Sequence, residues 1–382
     1  MVIKALCTFY ATLLLFKAVM AFWEVHRQRR AWYGGHKRRV DVTVLQPILS
    51  GDPGLEQTLE DNLRNLSEAK FLWLIDRDDV EAHGVTQRLL ARNAASRISV
   101  VECPECPVGV NPKVFKLDLA MHHVESPLML VLDDDSRLDA SALEMLISAL
   151  DSADLCTALP CYRDDARLPA QLLAQFVNNN AALTYLPLLP VMPPVTINGM
   201  CYGLRSDYLR SLGGFGRIRR VLTDDLALAE LVRSQGGRLR QTLATVEVQT
   251  QLLDLNHYVR QMHRWYLFAL LLFARQRIAL NVVLGLLYSA HPLLLWAAVI
   301  SAVLYPSTTA WLVLASLLVL RAAVLAALQR SLTGRVRMRP VISILSELAQ
   351  PFHCLHGFCR RTIRWRTRKY YVRANDVFIP CP

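Results

Sequence analysis

Three long apolar runs constrain this chain more than any other feature. Ala5–Trp23 is interrupted only by Lys17, and Ile278–Tyr305 and Thr308–Leu328 follow much later, parted by Pro306-Ser307. A helix of about 20 apolar residues spans a bilayer, so the sequence predicts a multi-pass integral membrane protein with one anchor ahead of a polar region and a helical hairpin behind it. A cleaved signal peptide is the rival reading of the first run. That run exceeds the ~7–15-residue apolar core of such peptides, and no small-x-small cleavage site follows it. A basic stretch follows instead. Glu24–Val40 holds Arg27, Arg29, Arg30, Lys37, Arg38 and Arg39 against a single acid, which places it, and the long central region behind it, on the cytosolic side.

The net charge of +11 raises the question of a nucleic-acid partner. The excess lies in two places, the stretch just described and Arg360–Arg373, which has six Arg and Lys369 and no acid. Cations beside apolar spans attract anionic lipid headgroups at about 1 kcal/mol each. The charge is thus a membrane signature, and no nucleic-acid partner is expected. Nine cysteines are present, and Cys103-Pro-Glu-Cys106 has ligand-like spacing, but no second pair completes a metal site. In a reducing cytosol these are expected to be free thiols.

Residues 41 to 250 alternate β-rich and helix-like runs. Val42–Ile48, Phe71–Asp76, Ile98–Glu102, Leu128–Asp133 and Leu155–Leu159 read as strands, and Leu55–Leu66, Val80–Ala95 and Ala140–Leu150 as helices. This βαβ rhythm predicts an α/β domain on a mostly parallel sheet, with ligands beyond the carboxyl ends of the strands. The chain then divides into a transmembrane helix at 1–23, a basic cytosolic linker at 24–40, the α/β domain at 41–250, an amphipathic interface helix at 251–277, two transmembrane helices at 278–328, and a segment at 329–382 that ends in a basic cytosolic tail. Pro340–Phe358 is too broken for a confident span and is expected to re-enter or lie on the membrane surface.

Acid clusters fall at the predicted strand ends. Asp133-Asp134-Asp135 follows LMLVL, and alternate carboxylates of an extended segment project to one side, so Asp133 and Asp135 can share Mg²⁺ or Mn²⁺ bound to a diphosphate. A solvated loop, or a cap for the next helix, is the plain alternative. Asp76, Asp78 and Asp79 close the neighbouring strand, where they suit hydrogen bonds to a base or ribose, or a helix cap. Asp224-Asp225 opens another helical run, so either acid can be a cap or, aimed into the crevice, a general base. Gly109-Val-Asn-Pro-Lys113 reads as a flexible loop whose Asn111 and Lys113 can meet phosphate. Gln261-Met-His-Arg-Trp265 puts Gln261, Arg264 and Trp265 within about one helical turn. Arg264 suits a diphosphate and Trp265 an acceptor wall, while an aromatic-basic belt at the interface is the plain reading.

In this order the motifs resemble the inverting, membrane-bound glycosyltransferases with a GT-A-type domain, and within that group the ceramide glucosyltransferases and their bacterial lipid-glycosylating relatives. The resembling stretches are Gln46–Pro53, Asp76–Asp79, Gly109–Lys113, Asp133–Arg137, Thr223–Asp225 with Gly236–Arg238, Gln261–Trp265 and Trp365–Tyr370, which together cover most of the chain. The resemblance implies that Asp79 and Asp78 hold uridine, that Asp133 and Asp135 handle ribose, diphosphate and metal, that Asp225, beside Asp224, is the base, and that Gln261, Arg264 and Trp265 line the donor–acceptor junction. The donor it implies is a nucleotide sugar, a UDP-hexose with UDP-glucose first in line, and the acceptor a membrane lipid hydroxyl. Where the eukaryotic ceramide enzymes carry a His-Pro pair, this chain has Asn178–Leu183, and its proline-rich Leu186–Val195 also differs. Ceramide, a hopanoid, a sterol and a diacylglycerol all stay open as acceptors. So does a processive polysaccharide synthase, which shares the Gln-x-x-Arg-Trp motif and to which Arg321, a charge inside the last span, would give a pathway residue. A noncatalytic membrane scaffold is the reading from another class.

Overall fold

The computed structural model describes residues 1–32, 41–93, 97–163, 166–249, 251–274, 276–365 and 368–381. Most of the 24–40 linker's second half, and the centre of the Trp365–Tyr370 motif, lie outside the described residues. The chain forms two compact units, neither continuous in sequence. One comprises Met1–Arg30, Asp164–Met192 and Leu252–Arg361, and the other Ala31–Arg163, Pro193–Gln251 and Thr362–Pro382.

The second unit is built on a sheet. Strands β1 (Val42–Ile48), β2 (Lys70–Asp76), β3 (Ile98–Cys103), β4 (Leu128–Leu132), β5 (Ser136–Arg137), β6 (Leu155–Tyr162), β7 (Cys201–Arg205) and β8 (Leu239–Val248) pair in the order β3-β2-β1-β4-β7-β6-β8-β5. Strands β1 to β4 are mutually parallel, β7 runs antiparallel between β4 and β6, β6 and β8 are parallel, and β5 is antiparallel to β8. The apolar runs of β1, β2 and β4 are nearly continuous because both faces are covered. Val44, Ile48, Trp73 and Ile75 pack beneath helices α2 (Leu55–Asn65), α3 (Val80–Arg92) and α5 (Ala140–Ala149), whereas Leu45, Leu72, Leu74, Met129 and Val131 pack beneath α4 (Pro112–Ala120), α7 (Ser206–Ser211) and α8 (Asp224–Ser234).

The chain lays β1, β2 and β3 outward in one direction and then crosses back to place β4 on the other flank of β1. That reversal opens a crevice beyond the carboxyl ends of β1 and β4, where ligands of open α/β sheets bind. Antiparallel β7 starts at the same rim, Cys201 opposite Leu132. The sequence pattern does not announce β7, because a five-residue strand with Gly203 at its middle has weak strand propensity. A Cβ on Gly203 would stand a tight 3.1 Å from the Cys156 sulfur, so a larger residue would have to shift that side chain. The tail, read from sequence as a charge run, folds into a three-stranded antiparallel sheet of β9 (Thr362–Trp365), β10 (Arg368–Ala374) and β11 (Val377–Pro380). All nine cysteines are free.

The first unit is helical, with α1 (Val2–Trp32), α6 (Leu168–Tyr185), α9 (Leu255–Phe273), α10 (Ile278–Leu304), α11 (Thr308–Thr333) and α12 (Pro340–Cys359). Of these, α1, α10 and α11 are long and apolar enough to cross a membrane. Helix α1 continues past the apolar run because Glu24 accepts from Arg27 at 2.6 and 2.8 Å and from Gln28 at 2.6 Å, pairs one turn apart that favour helix. Ser307 caps α11 by accepting from the Ala310 N–H at 3.1 Å, and Gly334 closes it at φ 70°. Helix α12 packs on α6, α9 and α10.

Buried polar side chains lock these helices to one another. The Arg321 guanidinium donates to Glu347 at 2.6 Å and to the Ser343 hydroxyl at 2.7 Å, and the Tyr10 hydroxyl donates to Glu347 at 2.8 Å. Asn179 of α6 donates to the Ser343 hydroxyl at 2.8 Å and accepts from Gln329 at 2.9 Å. Breaking such a pair strands a charge away from water, at about 3–5 kcal/mol, whereas replacing both partners by apolar groups is close to neutral. Glu347→Leu is therefore expected to lower the thermal midpoint of the detergent-solubilised protein sharply, and Arg321→Leu/Glu347→Leu to recover most of the loss. A double variant no more stable than the worse single one would show that the pair is not the fastening.

Candidate active site

The crevice is walled first by the acids that leave β4. The Asp133 N–H bonds the Met200 carbonyl at 2.9 Å, fixing this turn to the loop that enters β7. Asp134 is buried and accepts from the Leu49 N–H at 2.8 Å, clamping the end of β1. Asp135 is half-buried, and its carbonyl accepts from the Gln249 N–H at 3.1 Å. The triplet does not cap the next helix. That place belongs to Asp139, which accepts from the Ala142 N–H at 2.7 Å.

Helix α4 supplies the counter-charge. Asn111 and Pro112, read from sequence as part of a flexible loop, start this helix: the Asn111 carboxamide oxygen accepts from the Lys113 and Val114 N–H groups, and its nitrogen donates to the Val221 and Leu222 carbonyls. A proline at the first turn lacks only an N–H the helix would leave unpaired. Lys113, so placed, reaches the Asp133 carboxylate at 2.7 Å, the Gly199 carbonyl at 2.7 Å and Asp224 at 3.5 Å. Burial alone would lower its pKa, but Asp133 and Asp224 outweigh it and hold the ammonium form. One turn later Lys116, which the motif reading does not single out, donates to the Ile48 carbonyl at 2.6 Å and pairs with Asp76 at 3.0 Å. Its i, i+3 spacing from Lys113 on a helix whose other charged residue is Asp118 was the available signal.

Asp224 and Asp225 open α8, with Thr223 in the cap position. Thr223 does not cap. Its hydroxyl and its N–H both donate to the Asn375 carboxamide oxygen, at 2.8 and 3.0 Å, and the Leu222 N–H donates to the Asn375 carbonyl at 2.7 Å. The β10–β11 turn of the tail therefore anchors the segment that presents both acids. The Asp224 Oδ2 atom is buried and accepts no hydrogen bond among the described residues. Asp225 accepts from the Leu226 N–H at 2.8 Å. Burial, and then the Asp224 carboxylate, push the Asp225 carboxyl up to about 7. A Cβ on Gly199 would sit a tight 3.2 Å from that of Asp225, so a larger residue here would have to shift the Asp225 side chain.

Asp79 does cap α3, accepting from the Ala82 N–H at 3.0 Å, and it also accepts from the Ser50 N–H at 2.9 Å. Partial burial would raise its pKa, but those two N–H groups outweigh it and hold the carboxyl below the usual range. Asp78 beside it is exposed. Asp133, Asp224, Asp225 and Lys113 thus meet at one point of the sheet unit, with Asp135 and Asp79 on adjoining loops. Gln261, Arg264 and Trp265 belong to the helical unit. They lie half-buried along one stripe of α9, a helix capped by Asp254, and the Trp265 ring stands 6.1 Å from that of Phe176 on α6.

No group of three or more His, Cys, Asp or Glu among the described residues is arranged to hold a metal alone. The oxygens of Asp133 and Asp135, with Asp224 Oδ2, which Lys113 approaches at 3.5 Å, are hard donors that suit Mg²⁺ or Mn²⁺. Such ions are commonly bound by one or two carboxylates with substrate phosphates and water completing the shell. The residues fit a nucleotide-bridged ion.

The family model for glycosyl transferase family 21 matches residues 7–377. The chain belongs to that family. It is 25% identical over 242 residues to ceramide glucosyltransferase 1 of Caenorhabditis elegans, a match covering 60% of this chain and 50% of that protein, so the chain spans about half the length of this curated relative. The fold is similar to that of the mannosyltransferase PcManGT of Pyrobaculum calidifontis, solved with GDP-Man and Mn²⁺, at a TM-score of 0.50 and 16% identity over 92% of this chain and 99% of that one. The GT-A-type arrangement implied by the motif order is the one the sheet unit has.

In this family member Asn375 stands far in sequence from the acids it supports. Asn375→Ala removes two buried acceptor contacts, each worth about 1 kcal/mol, and strands the Thr223 donors at a further ~1–3 kcal/mol. The variant is expected to melt earlier and to lose turnover more than its stability loss explains. Unchanged turnover in the folded fraction would separate the tail from the site.

Proposed function

We propose that this protein transfers a hexose from a nucleotide sugar, a UDP-hexose with UDP-glucose as first candidate, to the hydroxyl of a membrane lipid of the ceramide kind, with inversion. The observation that carries the reading is Asp225. It is a partly buried carboxyl beside a compensated carboxylate pair, pushed up to about 7, and so is a base matched to neutral pH. Its unprotonated oxygen takes the proton of the lipid hydroxyl as that oxygen bonds to the anomeric carbon. The bond from that carbon to the diphosphate oxygen breaks on the opposite face, its electron pair leaving with the nucleotide. Asp133 and Asp135 would hold Mg²⁺ or Mn²⁺, which supplies positive charge to the diphosphate when bound. Lys113 keeps Asp133 and Asp224 oriented toward that position, Asn111 sets the helix that carries Lys113, and Asp78 and Asp79 would hold uridine.

Gln261, Arg264 and Trp265 are assigned to the donor–acceptor junction on the strength of the family motif. The three apolar helices are assigned as transmembrane spans and the sheet unit to the cytosol, consistent with the basic residues that follow Trp23, and the basic segments to anionic headgroups. Hopanoid, sterol and diacylglycerol remain the alternative acceptors. The polymer-conducting alternative loses its chief support, because Arg321 is engaged by Glu347, Ser343 and Tyr10.

Asp225→Asn is expected to cut transfer of radiolabelled hexose to lipid by about 10²–10⁴-fold while calorimetric UDP binding persists; retained turnover removes Asp225 as the base. Because only the ionised carboxyl accepts a proton, kcat/KM should rise with pH and level off above about 7. Asp224→Asn removes a charge that raises this pKa, so the rising limb should move to lower pH. A limb that stays in place would show that Asp224 does not tune the base.

A further inference from the structure

Helix α9 carries Gln261, Arg264 and Trp265, and its main neighbour in the helical unit is α12. The contact between them is specific. His353 Nε2 and the Tyr258 hydroxyl share a hydrogen bond at 3.1 Å, its donor set by the imidazole tautomer. The same imidazole meets the Tyr258 ring nearly at right angles at 5.2 Å and the tilted Tyr266 ring at 6.0 Å. Tyr258 precedes Gln261 by three residues and Tyr266 directly follows Trp265, so one side chain of α12 reaches α9 on both sides of the motif. The His356 and His263 rings lie 4.3 Å apart. A Cβ on Gly357 would stand 3.4 Å from that of Tyr266 and 3.5 Å from the Leu267 nitrogen, so α12 comes close to the backbone of α9 here.

At about 100° per residue, Tyr258, His263 and Tyr266 fall on one side of α9, Gln261 and Arg264 on the opposite side, and Trp265 on the flank beside Tyr258. The α12 contact therefore lies behind the motif. Apolar packing has no preferred direction and leaves a helix free to settle at neighbouring rotations. A hydrogen bond weakens steeply once it leaves line, so it selects one rotation. His353 and Tyr258 are 6% and 3% exposed, and two apolar side chains of the same shape would be nearly neutral for stability. What the polar pair adds is thus the rotational setting of α9. A side-chain end ~5–6 Å from a helix axis swings by roughly 2 Å for a rotation of about 20°, and misplacing a reacting group by about 1 Å can cost ~10²-fold in rate.

We infer that His353 is a positioning residue for glycosyl transfer: through Tyr258 it fixes the rotation of α9, and with it the direction in which Gln261, Arg264 and Trp265 are presented. The inference rests on the proposed function for the motif's part in transfer; the fastening of α9 to α12 does not. Helix α12, whose apolar pattern is too broken to mark a span, then has a task of its own, to hold the motif helix from behind.

The test compares the full-length wild type in nanodiscs with His353→Phe, which keeps a ring and loses the hydrogen bond, with Tyr258→Phe, which removes one oxygen and serves should the first variant fail to fold, and with the double variant. Transfer of radiolabelled hexose to lipid is measured per folded molecule, and UDP affinity by calorimetry. Each single variant is expected to lower kcat by about 10–10²-fold while UDP affinity stays within about twofold, the split that marks an interaction used in the transition state. The double variant should lose no more than the worse single one, because both substitutions delete the same bond. Wild-type kcat in the folded single variants would reduce the pair to a structural role, and losses that multiply in the double variant would show that the two residues act separately; either result overturns the inference. A wild type that transfers no hexose from any nucleotide sugar would remove the proposed function instead. Amide hydrogen exchange then decides the fastening: faster exchange across 258–266 in both variants, with α10 unchanged, would uphold it, and unchanged exchange would end it.

Discussion

The Lys113 ammonium is the interaction on which the sheet unit's site depends. Asp133 and Asp224 come from different elements, one leaving β4 and one opening α8, and both are drawn to the same nitrogen. Unit charges about 4 Å apart interact by roughly 4 kcal/mol at an effective dielectric of ~20, so two partly buried carboxylates would tend to separate or take up protons without a cation between them. One cation offsets one such repulsion. The third acid, Asp225, is left with burial and a charged neighbour and little to oppose them, and its carboxyl rises to about 7. The distribution of a single positive charge therefore sets the Asp225 carboxyl apart from its neighbours. Lys116 does the simpler version of the same task for Asp76 on the next strand.

This explains how much of the molecule was legible in the sequence. Strands β1, β2 and β4 announced themselves because burial on both faces demands continuous apolar residues, and the acids after them marked the rim. The helices α1, α10 and α11 were equally plain from apolar length. Strand β7 was not, since its place is set by partners distant in sequence and its glycine lies against a sulfur across the sheet. Strand β8, Leu239 to Val248, alternates only partly, so the Gly236-Gly237 turn before it did not by itself mark it as a strand. The tail misled by charge. Its Arg and Lys dominate the composition, while the β-pattern of Tyr370, Val372 and Phe378, all buried, is carried by a minority of residues.

At the level of single side chains, sequence reasoning identified acids and could not say which were structural. Asp134 and Asp79 fasten backbone, Asp139 caps a helix in the place offered to the triplet before it, and Thr223 surrenders its cap to Asn375. These outcomes turn on geometry of about an ångström, which spacing along the chain does not encode. Asn375 had no local signal at all: a lone asparagine in a two-residue turn looks like turn chemistry. Its second role exists only because the chain's last strands return to the unit begun by β1.

The two units solve the burial of polar groups in different ways. In the sheet unit Asp133, Asp224 and Asp225 gather at the rim beyond the strand ends and stay partly exposed, so incomplete pairing costs less there. In the helical unit the pairing of Arg321, Glu347, Tyr10, Ser343, Asn179 and Gln329 is dense, and each member bonds at least one other. A fully satisfied network of that sort is the expected solution where no water reaches, because each unmet group would cost more than it does at a surface. Arg321 on its own, seen in sequence as a charge inside a span, suggested a conduit; with its partners in place it is a fastening among α1, α11 and α12. Lys17 and His291 border the same network and are held by neighbours of their own: the Lys17 ammonium donates to the Leu287 carbonyl at 2.6 Å and stands 5.6 Å from the Tyr288 ring centroid, and the His291 ring meets that of Tyr10 nearly at right angles at 4.8 Å.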